Sequence, residues 1–250
     1  MAKGLDVKRR GRRVAALIVA AGEGCRMGTP RPKPFVLLKD VPILAYALHP
    51  FEICSRIQSL YPVLRQQDLP SWQGEILDRF PFKKTRQPVV GGPSRQDSVR
   101  LGLEAITEDI DTVLIHDGAR PFVDGSLLDQ LLDTMEGVQA AVLAVPARDT
   151  MKVVSPSGRV LETPDRKGLW HIQTPQAFDF SVILEAHQRA AADGIVATDD
   201  AALVERLGVP VTVVEGSYRN IKITTPEDLI MARALLENGG GISLESWKPL

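Results

Sequence analysis

Short apolar segments alternate with segments of helical periodicity along most of the chain. The apolar segments are Val14–Ala20, Thr112–His116, Ala140–Val145 and Val211–Val214. Uninterrupted apolar runs of this length are typical of strands that are buried on both faces of a parallel sheet. The pattern therefore predicts an α/β fold with a mostly parallel, twisted sheet flanked by helices.

Three segments carry helical signals between and after these strands. Residues 96–106 and 125–136 place apolar side chains at helical spacing, the second after a Ser126-x-x-Asp129 start. Near the end of the chain, Thr225 and Pro226 provide an N-cap and a first helical residue. We predict a helix at each of these places.

Two stretches depart from this alternation. Two β-rich segments flank "SPSG" within Thr150–Thr163, which predicts a hairpin arm over about residues 147–170. A two-stranded arm is marginally stable in water, so we expect it to pack against a partner subunit or against its own domain. In the second stretch, Leu60–Trp72, a strand is expected but the pattern is irregular.

Composition limits the class of protein. The 250 residues contain 30 Lys and Arg and 31 Asp and Glu, a balance that argues against binding nucleic acid or a membrane through bulk charge. The two cysteines, Cys25 and Cys54, have neither C-x-x-C spacing nor a nearby His. We therefore expect no disulfide scaffold and no zinc site, and a cytoplasmic location.

The amino terminus imitates a secretory signal, because "KRRGRR" precedes the apolar run. That run is at the short limit for a signal and would be the first strand of the sheet, so we interpret residues 1–13 as a disordered basic tail. We expect one domain over 14–236 and a tail over 237–250.

The first strand leads into "AAGEGCRMGTPRPKPF", Ala20–Phe35. A dinucleotide fingerprint needs a glycine where Met27 stands, and the Gly-Lys-Ser/Thr of a P-loop is absent. What remains is a glycine turn followed by Arg26 and Lys33, two cations that could reach a triphosphate. An ordinary strand-to-helix turn is the alternative on composition alone.

A second candidate site residue is Asp117, which directly follows an apolar strand. A carboxylate at that position suits a divalent metal, and Arg120 follows three residues later. The alternative for Asp117 is a helix cap or a turn. We interpret the neighbouring His116 as a packed histidine at the end of the strand.

With these residues in place, the chain resembles the 2-C-methyl-D-erythritol 4-phosphate cytidylyltransferases of non-mevalonate isoprenoid biosynthesis. The resemblance covers about residues 14–236 and is carried, in order, by "AAGEGCRMG", "PKPF", "GGPSRQDSV", "HDGARPFV", "PARDTMK", "DRKGLWHIQTPQAF", "TDDA" and "NIKITTPEDL". It implies a Rossmann-like nucleotidyltransferase fold with a protruding hairpin arm, Mg²⁺ or another divalent cation, CTP and methylerythritol phosphate as substrates, and a homodimer.

The resemblance also implies site roles. The catalytic cations would be Arg26, Lys33 and Lys222, and Asp117 would bind the metal. The nucleotide site would contain Ala20, Ala21, Gly22, Gly24, Gly92, Asp97 and Ser98. The second substrate would meet Arg120, Thr150, Arg166, Thr198 and Lys222. Thr150 and Arg166 would come from the neighbouring subunit's arm.

Two alternatives remain open. One is a ribitol 5-phosphate cytidylyltransferase, and the other is a nucleotide-binding module without catalytic activity. Two departures from the family pattern bear on the site: Gly118 stands where the family often has Ala, and Glu23 places a carboxylate within the glycine loop.

Overall fold

A computed structural model describes residues 11–22 and 31–238 of the chain. Its main feature is a seven-stranded sheet with the strand order β11-β7-β10-β6-β1-β4-β5. The strands of this sheet and of two small ladders are β1 (Val14–Val19), β2 (Leu37–Leu38), β3 (Val41–Pro42), β4 (Ile57–Leu64), β5 (Val89–Val90), β6 (Thr112–Asp117), β7 (Ala140–Pro146), β8 (Val153–Val154), β9 (Val160–Glu162), β10 (Trp170–Asp179) and β11 (Thr212–Glu215).

Helices cover both faces of this sheet. They are α1 (Ile43–Ile53), α2 (Leu69–Ser71), α3 (Arg95–Glu104), α4 (Gly125–Thr134), α5 (Phe180–Ala192), α6 (Asp200–Arg206) and α7 (Pro226–Glu237). The predicted cap of α7 is confirmed, because the Thr225 side chain accepts a hydrogen bond from the Asp228 backbone. Helix α4 begins earlier than predicted: its N-cap is Asp124, not Ser126.

The predicted mostly parallel sheet is confirmed. Strands β6, β1, β4 and β5 are mutually parallel, and β11 is parallel to β7. The exception is β10, which lies antiparallel between β6 and β7 and which the apolar pattern did not predict. Because β10 separates them, β6 and β7 are not neighbours although they follow each other in the α/β alternation.

The core has two layers, because residues alternate between the two faces of each strand. Ala16 and Ile18 of β1 face α1, α4 and α7, whereas Ala15 and Leu17 face α3, α5 and α6. Residues 14–18 are buried on both faces. This double burial explains why β1 appears in the sequence as an uninterrupted apolar run.

The irregular stretch Leu60–Trp72 contains the end of strand β4, the strand that was expected there. Strand β4 occupies Ile57–Leu64 and pairs with β1 from Ile57 to Val63, with a register irregularity at Gln58. The chain then turns through a 3₁₀ turn (Gln66–Asp68), α2 and a π-helical turn (Trp72–Leu77). The strand was obscured because it starts before Leu60 and contains Pro62, and because the turns after it share no single period.

The hairpin arm is present where the sequence predicts it. Strands β8 and β9 pair antiparallel between the end of β7 and the start of β10. Its large apolar side chains Val153, Val154, Val160 and Leu161 are 44–63% exposed. The arm therefore leaves most of its apolar surface uncovered in the single chain.

Within the described part of the chain, no helix has the length and apolar character needed to cross a membrane.

Candidate functional site

The candidate site lies at the carboxyl edge of the sheet, where the segments that follow β1, β5 and β6 meet. Backbone hydrogen bonds hold them together: Ala20 donates to Val63 at 2.8 Å, and Gly118 donates to Val19 at 2.9 Å. Gly91 continues β5 and donates to Leu64 at 2.8 Å. In parallel sheets, ligands bind at this edge, beyond the strand ends.

A cavity of about 420 Å³ opens at this edge. Its walls contain eight of the residues predicted for the site, namely Ala20, Ala21, Gly22, Lys33, Gly92, Ser98, Asp117 and Lys222. The sheet edge therefore brings together residues that lie up to 202 positions apart in the sequence.

Glycines make one wall of this cavity close-packed. A Cβ atom on Gly91 would lie 2.4 Å from the Cβ of Ala21, and one on Gly92 would lie 2.5 Å from the Cβ of Asp97. The Ser98 hydroxyl fixes the same turn, because its oxygen accepts a hydrogen bond from the Gly92 backbone at 3.1 Å. Glycine is required at both positions because Ala21 and Asp97 leave no room for a Cβ atom.

Asp117 lies at the centre of the charged residues. Its Oδ2 is 2.7 Å from Nζ of Lys222, and its Oδ1 is 3.0 Å from Nε of Arg95. Nε of Arg120 lies 4.0 Å from the same Oδ2. Burial alone would raise the pKa of the Asp117 carboxyl, but the three cations outweigh burial and hold this pKa well below its usual range. Asp117 is therefore ionised at neutral pH.

A second cavity of about 290 Å³ adjoins the first. Among the residues predicted for the second substrate, Arg120, Thr198 and Lys222 line it. Arg95, Asp117 and Lys222 line both cavities. The two spaces therefore meet at an ion-pair cluster, and a group bound in one space comes close to a group bound in the other.

The segment that carries Lys222 is fixed on both sides. Ile223 donates a backbone hydrogen bond to Ala119 at 2.9 Å, and Nη1 of Arg120 donates to the Asn220 carbonyl at 2.7 Å. The Asp228 carboxylate then accepts hydrogen bonds from Thr224 and caps α7. These contacts fix the backbone on both sides of Lys222.

His116 is a packed histidine, as interpreted from the sequence. It is fully buried, and burial lowers the pKa of its ring to about 4, so it is neutral at pH 7. Its Nε2 donates to the Arg120 carbonyl at 3.0 Å, and its Nδ1 accepts from the Thr174 hydroxyl at 3.1 Å. The Thr174 oxygen in turn accepts from the Asp117 N–H, so this chain of hydrogen bonds fixes the backbone of the site.

Several predicted residues lie elsewhere. Asp97 lies in the first turn of α3, where its carboxylate accepts a hydrogen bond from the Ser94 hydroxyl at 2.7 Å. Thr150 and Arg166 lie at the base of the arm, and Arg166 donates to the Arg148 carbonyl of its own chain. Arg26 and Gly24, together with the departure at Glu23, lie outside the described residues.

Two charged residues of the ion-pair cluster, Arg95 and Asp200, were not predicted as site residues. Arg95 stands in the quoted segment "GGPSRQDSV" but was given no role, and its Nη2 lies 2.9 Å from Oδ2 of the buried Asp200. Asp200 stands in the quoted "TDDA". The sequence does show that each of these two motifs contains a charged residue. No periodicity, however, indicates that Arg95 and Asp200 lie side by side.

The donor atoms restrict which metal could bind. Within residues 11–22 and 31–238, no three His, Cys, Asp or Glu side chains are grouped to hold an ion by themselves. Magnesium commonly binds through one or two carboxylates together with the phosphates of its substrate. The single carboxylate of Asp117 beside the first cavity fits that mode, whereas it does not fit a metal held by protein ligands alone.

Comparisons with known proteins agree on one family. The family model described as 2-C-methyl-D-erythritol 4-phosphate cytidylyltransferase matches residues 14–238. A relative of that name from Geotalea uraniireducens is 46% identical over 228 residues, which cover 90% of this chain and 97% of the relative. A relative of the same name from Desulforamulus reducens is 46% identical over 224 residues, which cover 90% and 96%.

Solved structures give the same result. The 4-diphosphocytidyl-2C-methyl-D-erythritol synthase of Anaerococcus prevotii superimposes with a TM-score of 0.81 at 32% identity, covering 91% of this chain and 97% of that one. The Francisella tularensis 2-C-methyl-D-erythritol 4-phosphate cytidylyltransferase superimposes with a TM-score of 0.76 at 29% identity, covering 89% and 99%.

Proposed function

Because the chain belongs to the 2-C-methyl-D-erythritol 4-phosphate cytidylyltransferase family, we propose that its two adjoining cavities bind CTP and 2-C-methyl-D-erythritol 4-phosphate. The enzyme transfers CMP from CTP to the sugar phosphate and releases pyrophosphate. The product is 4-diphosphocytidyl-2-C-methyl-D-erythritol, a precursor in non-mevalonate isoprenoid biosynthesis.

The observation that carries the placement of the substrates is the shared boundary of the two cavities. Lys222 and Arg95 line both spaces and contact the same carboxylate, that of Asp117. A phosphate oxygen in the second cavity can therefore approach the α-phosphorus of a nucleotide in the first cavity. Holding both reactants in this way removes much of the entropic cost of bringing two anions together.

The chemistry needs cations rather than a strong base. The attacking phosphate oxygen is already ionised at neutral pH, so no side chain must remove its proton. It forms a bond to the α-phosphorus while the bond from that phosphorus to the leaving pyrophosphate breaks, and negative charge gathers on the surrounding oxygens. Lys33 beside the first cavity, Lys222 at the boundary and Arg26 in the glycine loop are proposed to stabilise this charge.

The remaining residues bind and orient the substrates. The close-packed wall from Gly91 to Ser98, together with Ala20, Ala21 and Gly22, offers backbone groups to the nucleotide. In the second cavity, Arg120 and Thr198 are proposed to meet the methylerythritol phosphate. Asp97 is proposed to contribute to the nucleotide site through the Gly92 turn, which its side chain abuts.

We also propose that Asp117 holds Mg²⁺ together with the phosphates of CTP. The support is the ionised carboxylate beside the first cavity. When bound, the ion supplies charge neutralisation on the phosphate oxygens.

A homodimer through the arm is a further part of the proposal. The apolar residues of β8 and β9 are largely exposed, and a two-stranded ladder is marginal without a covering partner. In this arrangement Thr150 and Arg166 of one subunit reach the second substrate of its partner. A cytoplasmic location is proposed because the two cysteines show no disulfide spacing.

Pyrophosphate release tests the substrate assignment. The purified protein is incubated with CTP and Mg²⁺, and either methylerythritol 4-phosphate or ribitol 5-phosphate is added. We expect turnover with methylerythritol phosphate. Turnover with ribitol phosphate alone would show that the enzyme is a ribitol 5-phosphate cytidylyltransferase, and CTP binding without turnover would indicate a non-catalytic module.

A further inference from the structure

Arg95 occupies a position that the roles above do not use. It is the first residue of α3, and its guanidinium bridges two carboxylates: Nε lies 3.0 Å from Oδ1 of Asp117, and Nη2 lies 2.9 Å from Oδ2 of Asp200. Arg95 also lines both cavities. Its charge therefore lies where the bond between the two substrates would form.

One end of this bridge is held firmly. Asp200 is 1% exposed and begins α6, and its Oδ1 lies 3.2 Å from Nε2 of His187, which is 0% exposed. Burial would raise the pKa of the Asp200 carboxyl, but its contacts with Arg95 and His187 hold this pKa below its usual range. Asp200 is therefore an ionised anchor behind the cavity wall.

The remaining nitrogen of the guanidinium is Nη1. An arginine has five N–H donors, and two of these belong to Nη1. Within residues 11–22 and 31–238, Nη1 of Arg95 has no hydrogen-bond partner in the chain. These two donors remain available to phosphate oxygens while Nη2 stays on Asp200.

The energetic cost of this arrangement argues for a functional role. The Asp200 side chain is 1% exposed and the Arg95 side chain is 31% exposed, and replacing a buried ion pair by apolar residues is often neutral or stabilising. Stability alone therefore gives little reason to keep a carboxylate buried behind this guanidinium. What the pair provides is a guanidinium held in one orientation at the boundary of the two cavities.

We propose that Arg95 is a further catalytic residue, which donates from Nη1 to the phosphate oxygens at the boundary of the two cavities, and that Asp200 is a positioning residue that fixes its guanidinium. This inference rests on the proposed function. A fixed guanidinium needs no reorganisation as charge develops on these oxygens, which is the condition under which electrostatic stabilisation is largest.

The first test is Arg95→Ala, assayed for kcat with both substrates saturating. Loss of one such donor lowers kcat on the order of a hundredfold. Added guanidinium ion restores part of this loss if the missing charge is the cause. Arg189→Ala is the matched control, because Arg189 forms a 2.5 Å ion pair with Glu185 on the exposed face of α5. Its kcat stays within about twofold of wild type.

The second test separates positioning from structure. If Asp200 acts through Arg95, then Asp200→Asn lowers kcat, and adding it to Arg95→Ala lowers kcat no further than about twofold. Losses that multiply in the double variant would overturn the positioning role. Should Asp200→Asn fail to fold, Asp200→Glu retains the charge and serves in the same cycle, with circular dichroism and thermal unfolding to establish the fold.

Failure of the inference and failure of the proposed function have different signatures. A wild-type protein that releases no pyrophosphate from CTP and methylerythritol phosphate contradicts the proposed function. If the wild-type protein turns over but the folded Arg95→Ala variant has a kcat within about threefold of wild type, only the role of Arg95 is overturned. The same holds if added guanidinium ion does not raise the kcat of the variant.

Discussion

The Nζ atom of Lys222 lies 2.7 Å from Oδ2 of Asp117, so one ion pair joins the end of β6 to the loop before α7. The two residues are 105 positions apart in the chain. Their contact lies at the boundary between the two cavities. If the two cavities bind the two substrates as proposed, a change at either residue is expected to act on both substrates, unlike a change in the wall of one cavity.

We expect Lys222→Ala to lower kcat/KM for methylerythritol phosphate on the order of a hundredfold, because it removes a cation that faces the developing charge. The measurement is steady-state pyrophosphate release at fixed, saturating CTP. Lys83→Ala, which removes an exposed lysine from the loop after the π-helical turn, is the control and keeps wild-type rates. An unchanged kcat/KM in a folded Lys222→Ala variant would contradict the role of Lys222.

For Lys33 the expected change is mainly in kcat. Lys33 lines the nucleotide cavity, where it is proposed to neutralise the triphosphate. Replacing it with Ala lowers kcat on the order of a hundredfold. Single-turnover measurements with CTP prebound separate this effect from weaker nucleotide binding. If the whole loss lies in CTP affinity, Lys33 binds the ground state and the transition state equally.

The shared-site dimer predicts complementation between two inactive variants. A heterodimer of Arg166→Ala and Lys33→Ala chains contains one pocket in which both residues are intact. An equal mixture after subunit exchange regains up to about a quarter of wild-type activity, because half of the dimers are heterodimers with one working pocket each. Native mass spectrometry verifies the exchange, and exchange without recovered activity would refute a shared site.

Gly102 of α3 provides a test of how the site is supported. A Cβ atom there would lie 2.4 Å from Cδ1 of Leu17 and 2.9 Å from Cγ2 of Val63, so the helix packs directly on β1 and β4. Gly102→Val lowers the free energy of unfolding by about 2 kcal/mol through overpacking. Gly125→Ala is the control, because its added Cβ meets no atom within 4 Å. Urea titration of both variants gives the comparison.

Asp228 makes one part of the stability depend on pH. Burial would raise its pKa, but hydrogen bonds from Thr224 and Thr225 lower the pKa of the carboxyl below its ordinary value. The stabilisation is therefore present above the ordinary Asp value of about 3.9 and is lost as pH falls through the lower, folded-state pKa. Asp228→Asn lowers the free energy of unfolding by about 1 kcal/mol at pH 7.

The difference between Asp228→Asn and wild type shrinks as the pH falls below about 3.9, because Asp228 is then protonated in the unfolded chain, and it disappears once the pH is also below the lower, folded-state pKa. Unfolding by urea at pH 7 and at pH 3 measures it. A difference that stays constant between these two pH values would show that the charge of Asp228 does not stabilise the cap.

Three central strands of the sheet were predictable from the sequence because they are buried on both faces. Strands β1, β6 and β7 each contain an apolar run, although β6 starts at Thr112 and ends with His116 and Asp117, so their positions follow from these runs. Strand β10 starts with three exposed residues and continues through Gln173, Thr174, Pro175 and Gln176, so no run of apolar residues marks it. Its antiparallel place between β6 and β7 depends on long-range pairing.

The site was predictable to the extent that each residue stands in a motif. Asp117 and Lys222 were identified in this way, and the structure places them in contact. The link from Arg95 through Asp200 to His187 was not, because it joins α3, α6 and α5 by buried polar contacts. No periodicity or spacing predicts such contacts, since each depends on how two helices pack on the same face of the sheet.

Strand β10 runs from the base of the arm into the wall of the second cavity, with a register irregularity between Ile172 and Gln176. Its residue Trp170 pairs with Pro146 at the base of the arm, while Ile172, Gln173 and Thr174 line the second cavity. The base of the arm and the wall of the second cavity are therefore built on the same strand. In the arm-mediated dimer proposed above, the subunit interface and the sugar-phosphate site would thus share one short stretch of backbone.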